Sequence, residues 1–188
     1  MLVGSNHGIK LVLELVQKAA TESSLFEEDR NEQTNTSLKV IEQSLRLLNN
    51  VYADNKEAET NAAFMLDSSN IGNLFTLLKN LNNKIQYFVE RNSQSEHQQD
   101  FAIDIVRLTG ILMSALFNVN YSTKKNTELM STNKDSYTQL VRIFELENLC
   151  AKAHSEYRSL AELIHSDYWE YAIDNSAEIL DELISVGT

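Results

Sequence analysis

The sequence predicts an all-α fold in a single domain, and three observations support this. Its 188 residues include no proline and only five glycines, which leaves little of the turn chemistry that β-hairpins need. Apolar residues recur at intervals of three and four, the spacing that places them on one face of a helix. The length allows one sizeable hydrophobic core, whereas two domains would each be small. We therefore expect one helical domain spanning 1–188.

Apolar stripes locate the helices of the first half of the chain. The stripes predict helices over 8–20, 37–51, 57–66 and 71–90. The segment Asp67-Ser68-Ser69-Asn70 consists of residues that cap helix starts, so it marks the beginning of the fourth helix. A polar stretch at 27–36 is predicted as a loop or a poorly packed helix start between the first two helices.

The second half follows the same pattern, after a second polar connector at 91–99. A helix over 101–119 is apolar nearly all round, which predicts a position in the middle of the structure. Beyond it the stripes predict a short helix over 124–130, a long one from Ser136 towards 164, and a last one over 168–186.

The charge balance argues against two classes of partner. The chain has 16 Lys and Arg against 27 Asp and Glu, a formal net charge of −11. Nucleic-acid binding depends on clustered Lys and Arg, and the densest basic run is only Lys124–Lys125, so we expect no direct nucleic-acid contact. An anionic membrane surface is disfavoured for the same reason. The acidic balance serves solubility or suits a basic protein partner.

Cysteine usage and hydropathy predict an intracellular protein, cytoplasmic or nuclear. Cys150 is the only cysteine, so no internal disulfide forms and a reducing compartment is expected. The start of the chain lacks the basic and apolar regions of a signal peptide. The most apolar window, 108–119, is too short to span a bilayer, so no membrane insertion is expected.

An internal repeat is visible at a spacing of more than sixty residues. The segment 74–78 (Leu-Phe-Thr-Leu-Leu) parallels 140–144, and an earlier copy lies at 12–16, so the starts are 62 and 66 residues apart. A second pattern, Leu-x-Asn-Val, ends the apolar helices at 48–51 and 116–119, 68 residues apart. Self-similarity at a fixed period predicts a stack of helical repeats.

The order of these patterns resembles the armadillo repeat. There, a helix ending in A-L-x-x-L-x-N-L precedes a short helix and then a helix opening with L-V-x-L-L. Residues 44–51 (Ser-Leu-Arg-Leu-Leu-Asn-Asn-Val) match the first pattern with Ser for Ala, and 112–119 match it less well. The family period is shorter, about 42 residues. The resemblance implies a short right-handed helical solenoid of armadillo or HEAT type, and the alternative is an irregular antiparallel helical bundle.

A solenoid of this kind suggests a longer protein. The sequence ends soon after Val186, with no polar capping helix of the kind that terminal repeats need. We therefore expect the chain to be a fragment of a larger solenoid, with the rest of that chain as one possible partner.

Sequence motifs for catalysis are missing, which favours a non-catalytic adaptor or scaffold module that binds a partner protein or peptide. There is no Gly-rich phosphate loop, no G-x-S-x-G and no H-E-x-x-H. The histidines lack metal-ligand spacing, so we expect no metal, no cofactor and no catalytic residue. Cys150 lies on an apolar stripe, which is typical of a buried thiol. The alternative function is a helical-bundle enzyme or small-ligand carrier, which would need a pocket with convergent polar groups.

Candidate partner-binding residues come from the resemblance. In armadillo proteins the Asn of the repeat lines a concave groove and bonds a peptide backbone, which implies such a role for Asn50 and Asn118. An Asn at a helix end is also an ordinary cap, so both interpretations stay open. The nearby Glu42, Asn49 and Asp54 would favour a basic, extended segment.

Late aromatic residues offer a second candidate surface. Tyr168 and Trp169 stand in the first turn of the last helix, off its aliphatic stripe. Trp and Tyr are frequent anchors of protein interfaces. The alternative is that Trp169 packs on the preceding helix.

Overall fold

The chain is helical throughout the part that the structure describes. The computed structural model describes residues 6–22, 32–53, 66–91, 96–154 and 166–187. Those ranges contain seven helices and no strand. In chain order they are α1 Asn6–Thr21, α2 Glu32–Ala53, α3 Ser68–Glu90, α4 Glu96–Ser122, α5 Lys124–Thr132, α6 Ser136–His154 and α7 Asp167–Gly187. The all-α prediction is confirmed.

Two helices begin earlier than the apolar pattern predicts. Helix α2 starts at Glu32 and α4 at Glu96, inside the expected connectors at 27–36 and 91–99. Their first turns are polar, and hydrophobic periodicity cannot detect a turn that contributes no apolar side chain to the core. The predicted helix over 57–66, and the continuation of α6 towards 164, lie largely outside the described residues.

Side-chain caps define two of the helix starts. The Asp67 carboxylate accepts a hydrogen bond from the backbone N–H of Asn70 at 2.7 Å, as predicted for this cluster. At α5, the Thr123 hydroxyl oxygen accepts from the N–H of Asn126 at 3.0 Å. Each bond satisfies a donor that the first turn of a helix leaves without an intrahelical partner.

The helices pack as two layers. In one layer α3 lies between α1 and α6, and in the other α4 lies between α2 and α7. Successive long helices pack across the layers as the pairs α1–α2, α3–α4 and α6–α7, while α5 packs on α4 and α7. Each long helix therefore contacts its partner in the other layer and its neighbours in its own.

Contacts between side chains give the relative direction of α2 and α4. Glu42 pairs with Arg107, and further along Asn49 pairs with Asn118. Both contacts advance towards the C-terminus on each helix, so α2 and α4 run parallel.

The same reasoning applies to α4 and α7, which also run parallel. Gly110 lies against Tyr168, and Ser114 bonds Asn175. A Cβ atom on Gly110 would lie 2.4 Å from the carbonyl oxygen of Tyr168. Gly110 therefore permits a close approach of the two backbones, which a larger residue would prevent.

In the other layer, α3 and α6 are joined by polar contacts. The buried Asn82 amide donates to the backbone oxygen of Gln139 at 3.1 Å, and one turn later Arg142 donates to Gln86. These contacts also advance together, so α3 and α6 are parallel as well.

The core runs the length of both layers, with α4 at its centre. Side chains with 0% exposure come from every helix from α2 to α7, and include Leu45, Leu74, Phe75, Leu112, Met113, Leu116, Met130, Leu140 and Leu183. The prediction that the helix at 101–119 lies in the middle is confirmed.

Helix α4 is longer than the apolar window 108–119, which was predicted to be too short to span a bilayer. Its part Gln98–Ser122 is long and apolar enough to do so by length and composition, and 67% of the window is buried among the other helices. A core helix has the same composition as a membrane span, and burial on most sides is the property of a core helix.

Candidate interaction face

The outward side of the layer α2–α4–α7 carries a continuous band of polar contacts, here called the polar face. It includes Glu42, Arg46 and Asn49 of α2, Asp104, Arg107, Ser114 and Asn118 of α4, and Tyr168 and Asn175 of α7. The parallel packing of these helices brings the side chains together across three elements.

Glu42 is the centre of an ion-pair network. Its Oε1 atom lies 2.9 Å from Nη2 of Arg46, and its Oε2 atom lies 3.2 Å from Nη2 of Arg107. Arg107 also pairs with Asp104 at 2.7 Å. The Glu42 side chain is only 14% exposed, so the network is partly shielded from solvent and joins α2 to α4.

Arg46 links α2 to α7. Its Nη2 atom donates a hydrogen bond to the Tyr168 hydroxyl at 3.4 Å. This bond, and the one to Glu42, raise the pKa of Arg46 above its ordinary value. The close approach at Gly110 brings the start of α7 near enough for this contact.

Asparagine amides form the next contact along the face. The Asn118 Nδ2 atom donates to Asn49 Oδ1 at 2.7 Å, and Asn175 Nδ2 lies 3.4 Å from the Ser114 hydroxyl. An amide carries both donors and an acceptor. The Asn49 NH2 group and the Asn118 oxygen are therefore the groups that this pair can offer to a ligand.

A cleft lies between the first halves of α2 and α4, and has a volume of about 440 Å³. Ile103 is 49% exposed at this cleft. The remaining lining is mostly charged and includes Lys39, Glu42, Asp100, Asp104 and Arg107.

The far end of the polar face is aromatic and acidic. Tyr121 is half exposed, with its ring centroid 4.6 Å from that of Phe117. Burial raises the pKa of Tyr121, and the charges of Glu182, Glu178 and Asp181 on α7 add to the rise. Helix α7 carries six acidic residues and no Lys or Arg, so this end of the face is strongly negative.

The predicted site residues are placed in different ways. Glu42, Asn49, Asn118 and Tyr168 all belong to the polar face. Asn50 is exposed on α2, one turn after Arg46 and so beside it on the helix surface. Asp54 lies outside the described residues.

Trp169 does not lie on the polar face. It is 3% exposed and belongs to the hydrophobic core, so its ring is not accessible as an anchor on this surface. Of the two interpretations of Trp169, packing inside the chain is the one that fits its burial. Tyr168 is partly buried against the core and presents its hydroxyl to Arg46.

Sequence reasoning missed five residues of the face: Arg46, Asp104, Arg107, Ser114 and Asn175. Spacing could have identified the ion pairs within helices, because Glu42 and Arg46 are four residues apart. The contacts between helices have no such signal, because they depend on how α2, α4 and α7 are aligned.

Across the described ranges, no group of three His, Cys, Asp or Glu side chains could hold a metal ion. Cys150 is 5% exposed and is a free thiol that forms no disulfide. Burial raises the pKa of its thiol to about 11, with a smaller contribution from Glu147. A thiol of this kind is largely protonated near neutral pH and weakly nucleophilic.

No protein-family model, curated protein or solved structure matches this chain significantly.

Proposed function

We propose that this chain is a non-catalytic protein-interaction module of the intracellular compartment. In this proposal it is a short right-handed solenoid of armadillo or HEAT type, and its polar face receives an extended segment of a partner protein. The observation that carries the proposal is the parallel alignment of α2, α4 and α7, with α3 and α6 parallel in the other layer.

Parallel neighbours favour a solenoid over the alternative bundle. Stacked repeats place equivalent helices side by side in the same direction, and each repeat contacts only the next. In an up-and-down bundle, short loops make spatial neighbours antiparallel. The internal repeat supports the same proposal, since its two Leu-x-Asn-Val copies end α2 and α4, which are adjacent in one layer.

The polar groups of the face suit an extended peptide. A backbone in extended conformation presents N–H and C=O groups that helix or sheet pairing has not used. The Asn49 NH2 group and the Asn118 oxygen supply one donor and one acceptor at adjacent points, with exposed Asn50 beside them. Carboxylates on α7 favour a segment that carries Lys or Arg, chiefly by accelerating association.

A small-ligand carrier is the second candidate, because the cleft of about 440 Å³ has a volume typical of ligand sites. Two of its acids, Glu42 and Asp104, already pair with Arg107. A ligand in the cleft would have to compete with these internal pairs, whereas a peptide that bonds the Asn49 NH2 group, the Asn118 oxygen and Asn50 would not. Protein binding is therefore the function that the face supports better.

Site-specific photo-crosslinking tests the proposal. A photoreactive amino acid replaces Asn50, which lies beside Arg46 of the polar face, and in a matched control it replaces Asn148, which is also exposed but lies on α6 in the other layer. Crosslinked peptides are sequenced, synthesised and titrated against the unmodified chain. The proposal expects capture from position 50 but not 148, and binding of the synthetic peptide.

Two results would contradict the proposal. Equal capture from both positions would indicate non-specific contact. Failure of every captured peptide to bind in titration would show that the polar face is not a peptide site.

A further inference from the structure

The two ends of the helical layers expose apolar side chains that no neighbouring helix covers in the described part of the chain. At one end Leu11, Val40 and Leu47 are 58%, 43% and 40% exposed. At the other end Ile184 is 55% exposed, beside the partly buried Leu180. These two surfaces are here called the α1–α2 end and the α6–α7 end.

Helical geometry shows that the exposed side chains face away from the rest of the layer. Val40 is nine residues before Asn49, which bonds Asn118 of α4. Ile184 is nine residues after Asn175, which bonds Ser114 of α4. At about 3.6 residues per turn, nine residues correspond to half a rotation. Val40 and Ile184 therefore point away from α4, in opposite directions along the layer.

The α1–α2 end is a groove and not a flat surface. It has a volume of about 200 Å³, and its apolar lining includes Leu15, Ala19, Val40 and Ile41. The groove lies between α1 and α2, and its lining includes Val40, which points away from α4. A helical pair like those of the chain itself would continue the packing into this groove.

The two ends also differ in charge. Helix α1 carries two lysines and one glutamate, whereas α7 carries six acidic residues and no base. The overall charge of −11 makes two copies repel when they approach at random. Their approach with the α1–α2 end towards the α6–α7 end places the least negative region against the most negative one.

We propose that these ends bind each other between copies of the chain, so that the α6–α7 end of one copy packs on the α1–α2 end of a second copy. The contact is heterologous, because it joins two different surfaces. It buries apolar side chains at both ends and extends the two layers in the same direction. The proposal rests on the stacked arrangement of helices and not on partner binding by the polar face.

Sedimentation velocity of the purified full chain over a wide concentration range tests this. The expected result is a weight-average mass that rises with concentration beyond that of one chain. Val40→Glu and Ile184→Glu should each abolish the rise. Ile103→Glu is the matched control, since Ile103 is 49% exposed on α4, which lies between α2 and α7 and so at neither end, and it should leave association unchanged. Circular dichroism confirms that each variant is folded.

Mixing the two blocked variants distinguishes this contact from a symmetric one. Val40→Glu retains an intact α6–α7 end and Ile184→Glu an intact α1–α2 end, so the mixture should form one-to-one dimers and nothing larger. A symmetric dimer would be blocked by only one of the two variants, and that result overturns the proposal. The proposal is also overturned if the chain stays monomeric at every concentration. The apolar ends would then be binding surfaces for a different protein. The assay contains no other protein, so its failure is separate from any failure of peptide binding at the polar face.

Discussion

Asn118 on α4 donates a hydrogen bond to Asn49 on α2, with 2.7 Å between Nδ2 and Oδ1. Within the repeated Leu-x-Asn-Val pattern, the counterpart of Asn118 is Asn50 and not Asn49. The bond therefore joins Asn118 to the residue before its counterpart. Since consecutive residues of a helix differ by about 100° in direction, this displacement turns Asn50 towards solvent and Asn49 towards α4.

A double-mutant cycle measures the strength of this bond. Asn49→Ala and Asn118→Ala should each lower the free energy of unfolding, and together they should be less harmful than the sum. A side-chain hydrogen bond of this type contributes about 0.5–1.5 kcal/mol, so we expect a coupling energy in that range from urea denaturation. Asn50→Ala paired with Asn118→Ala is the control, and should be additive within about 0.5 kcal/mol. Equal coupling in both cycles would show that the measured term is not the hydrogen bond.

Substitution of the two internal glycines should have opposite effects. Gly110→Ala places a Cβ atom 2.4 Å from the backbone oxygen of Tyr168, which forces α4 and α7 apart. Overpacking of this kind costs about 1–3 kcal/mol. In Gly72→Ala the new Cβ meets only the Asn133 side chain at 3.7 Å, an ordinary contact. Alanine in a helix is favoured over glycine by about 0.5–1 kcal/mol, so this variant should be stabilised.

Chemical denaturation of both variants at one temperature checks the pair. Gly110→Ala should also weaken the Arg46–Tyr168 bond, since that bond depends on the position of α7. If the two variants had the same free energy of unfolding, the backbones of α4 and α7 could not lie as close together at Gly110 as described.

The buried thiol predicts a loss of stability at alkaline pH. Burial raises the pKa of Cys150 from 9.0 to about 11, so folding favours the protonated form. This contribution is fully present below pH 9 and is lost as the pH rises through 11. One pKa unit corresponds to about 1.4 kcal/mol, which gives a loss on the order of 2 kcal/mol by pH 11.

Comparison with Cys150→Ala isolates this contribution, because other groups titrate alike in both proteins. The difference in unfolding free energy between the two should be constant up to about pH 8 and change by on the order of 2 kcal/mol towards pH 11. Equilibrium unfolding at a series of pH values provides the measurement. A difference that does not vary with pH would mean that the thiol is not desolvated.

Much of the fold could be predicted because helix positions follow from local patterns. The stripe of Leu74, Leu77, Leu81 and Ile85 lies on the buried side of α3, as its spacing predicts. The polar first turn of α4 was missed, since it contributes no apolar residue to the periodicity, whereas the start of α2 at Glu32 falls in the stretch 27–36, for which a poorly packed helix start was one of two expectations. Local spacing likewise identifies the pairing of Glu42 with Arg46, which lie one turn apart.

The candidate site was less predictable, because it depends on contacts between helices distant in sequence. Arg46 and Tyr168 are separated by 122 positions, and no local pattern indicates that they meet. Trp169 illustrates the same limit. Its position off the aliphatic stripe allowed an exposed anchor, but in the folded chain it is 3% exposed and belongs to the hydrophobic core. Relative alignment of helices is set by the whole core and not by one segment.

Asn50→Ala should weaken binding of a partner segment at the polar face and leave the fold intact. Asn50 is exposed, and substitutions at exposed positions usually change stability by at most about 0.5 kcal/mol. Loss of one hydrogen bond to a peptide backbone costs about 1 kcal/mol, which corresponds to an affinity about fivefold lower. Fluorescence anisotropy with the crosslinked segment as a labelled peptide measures the affinity. Asn148→Ala, the same change at an exposed position of α6, should leave the affinity unchanged. If Asn50→Ala instead unfolds the chain while each folded molecule binds as before, Asn50 is a structural residue and the polar face binds its partner through other groups.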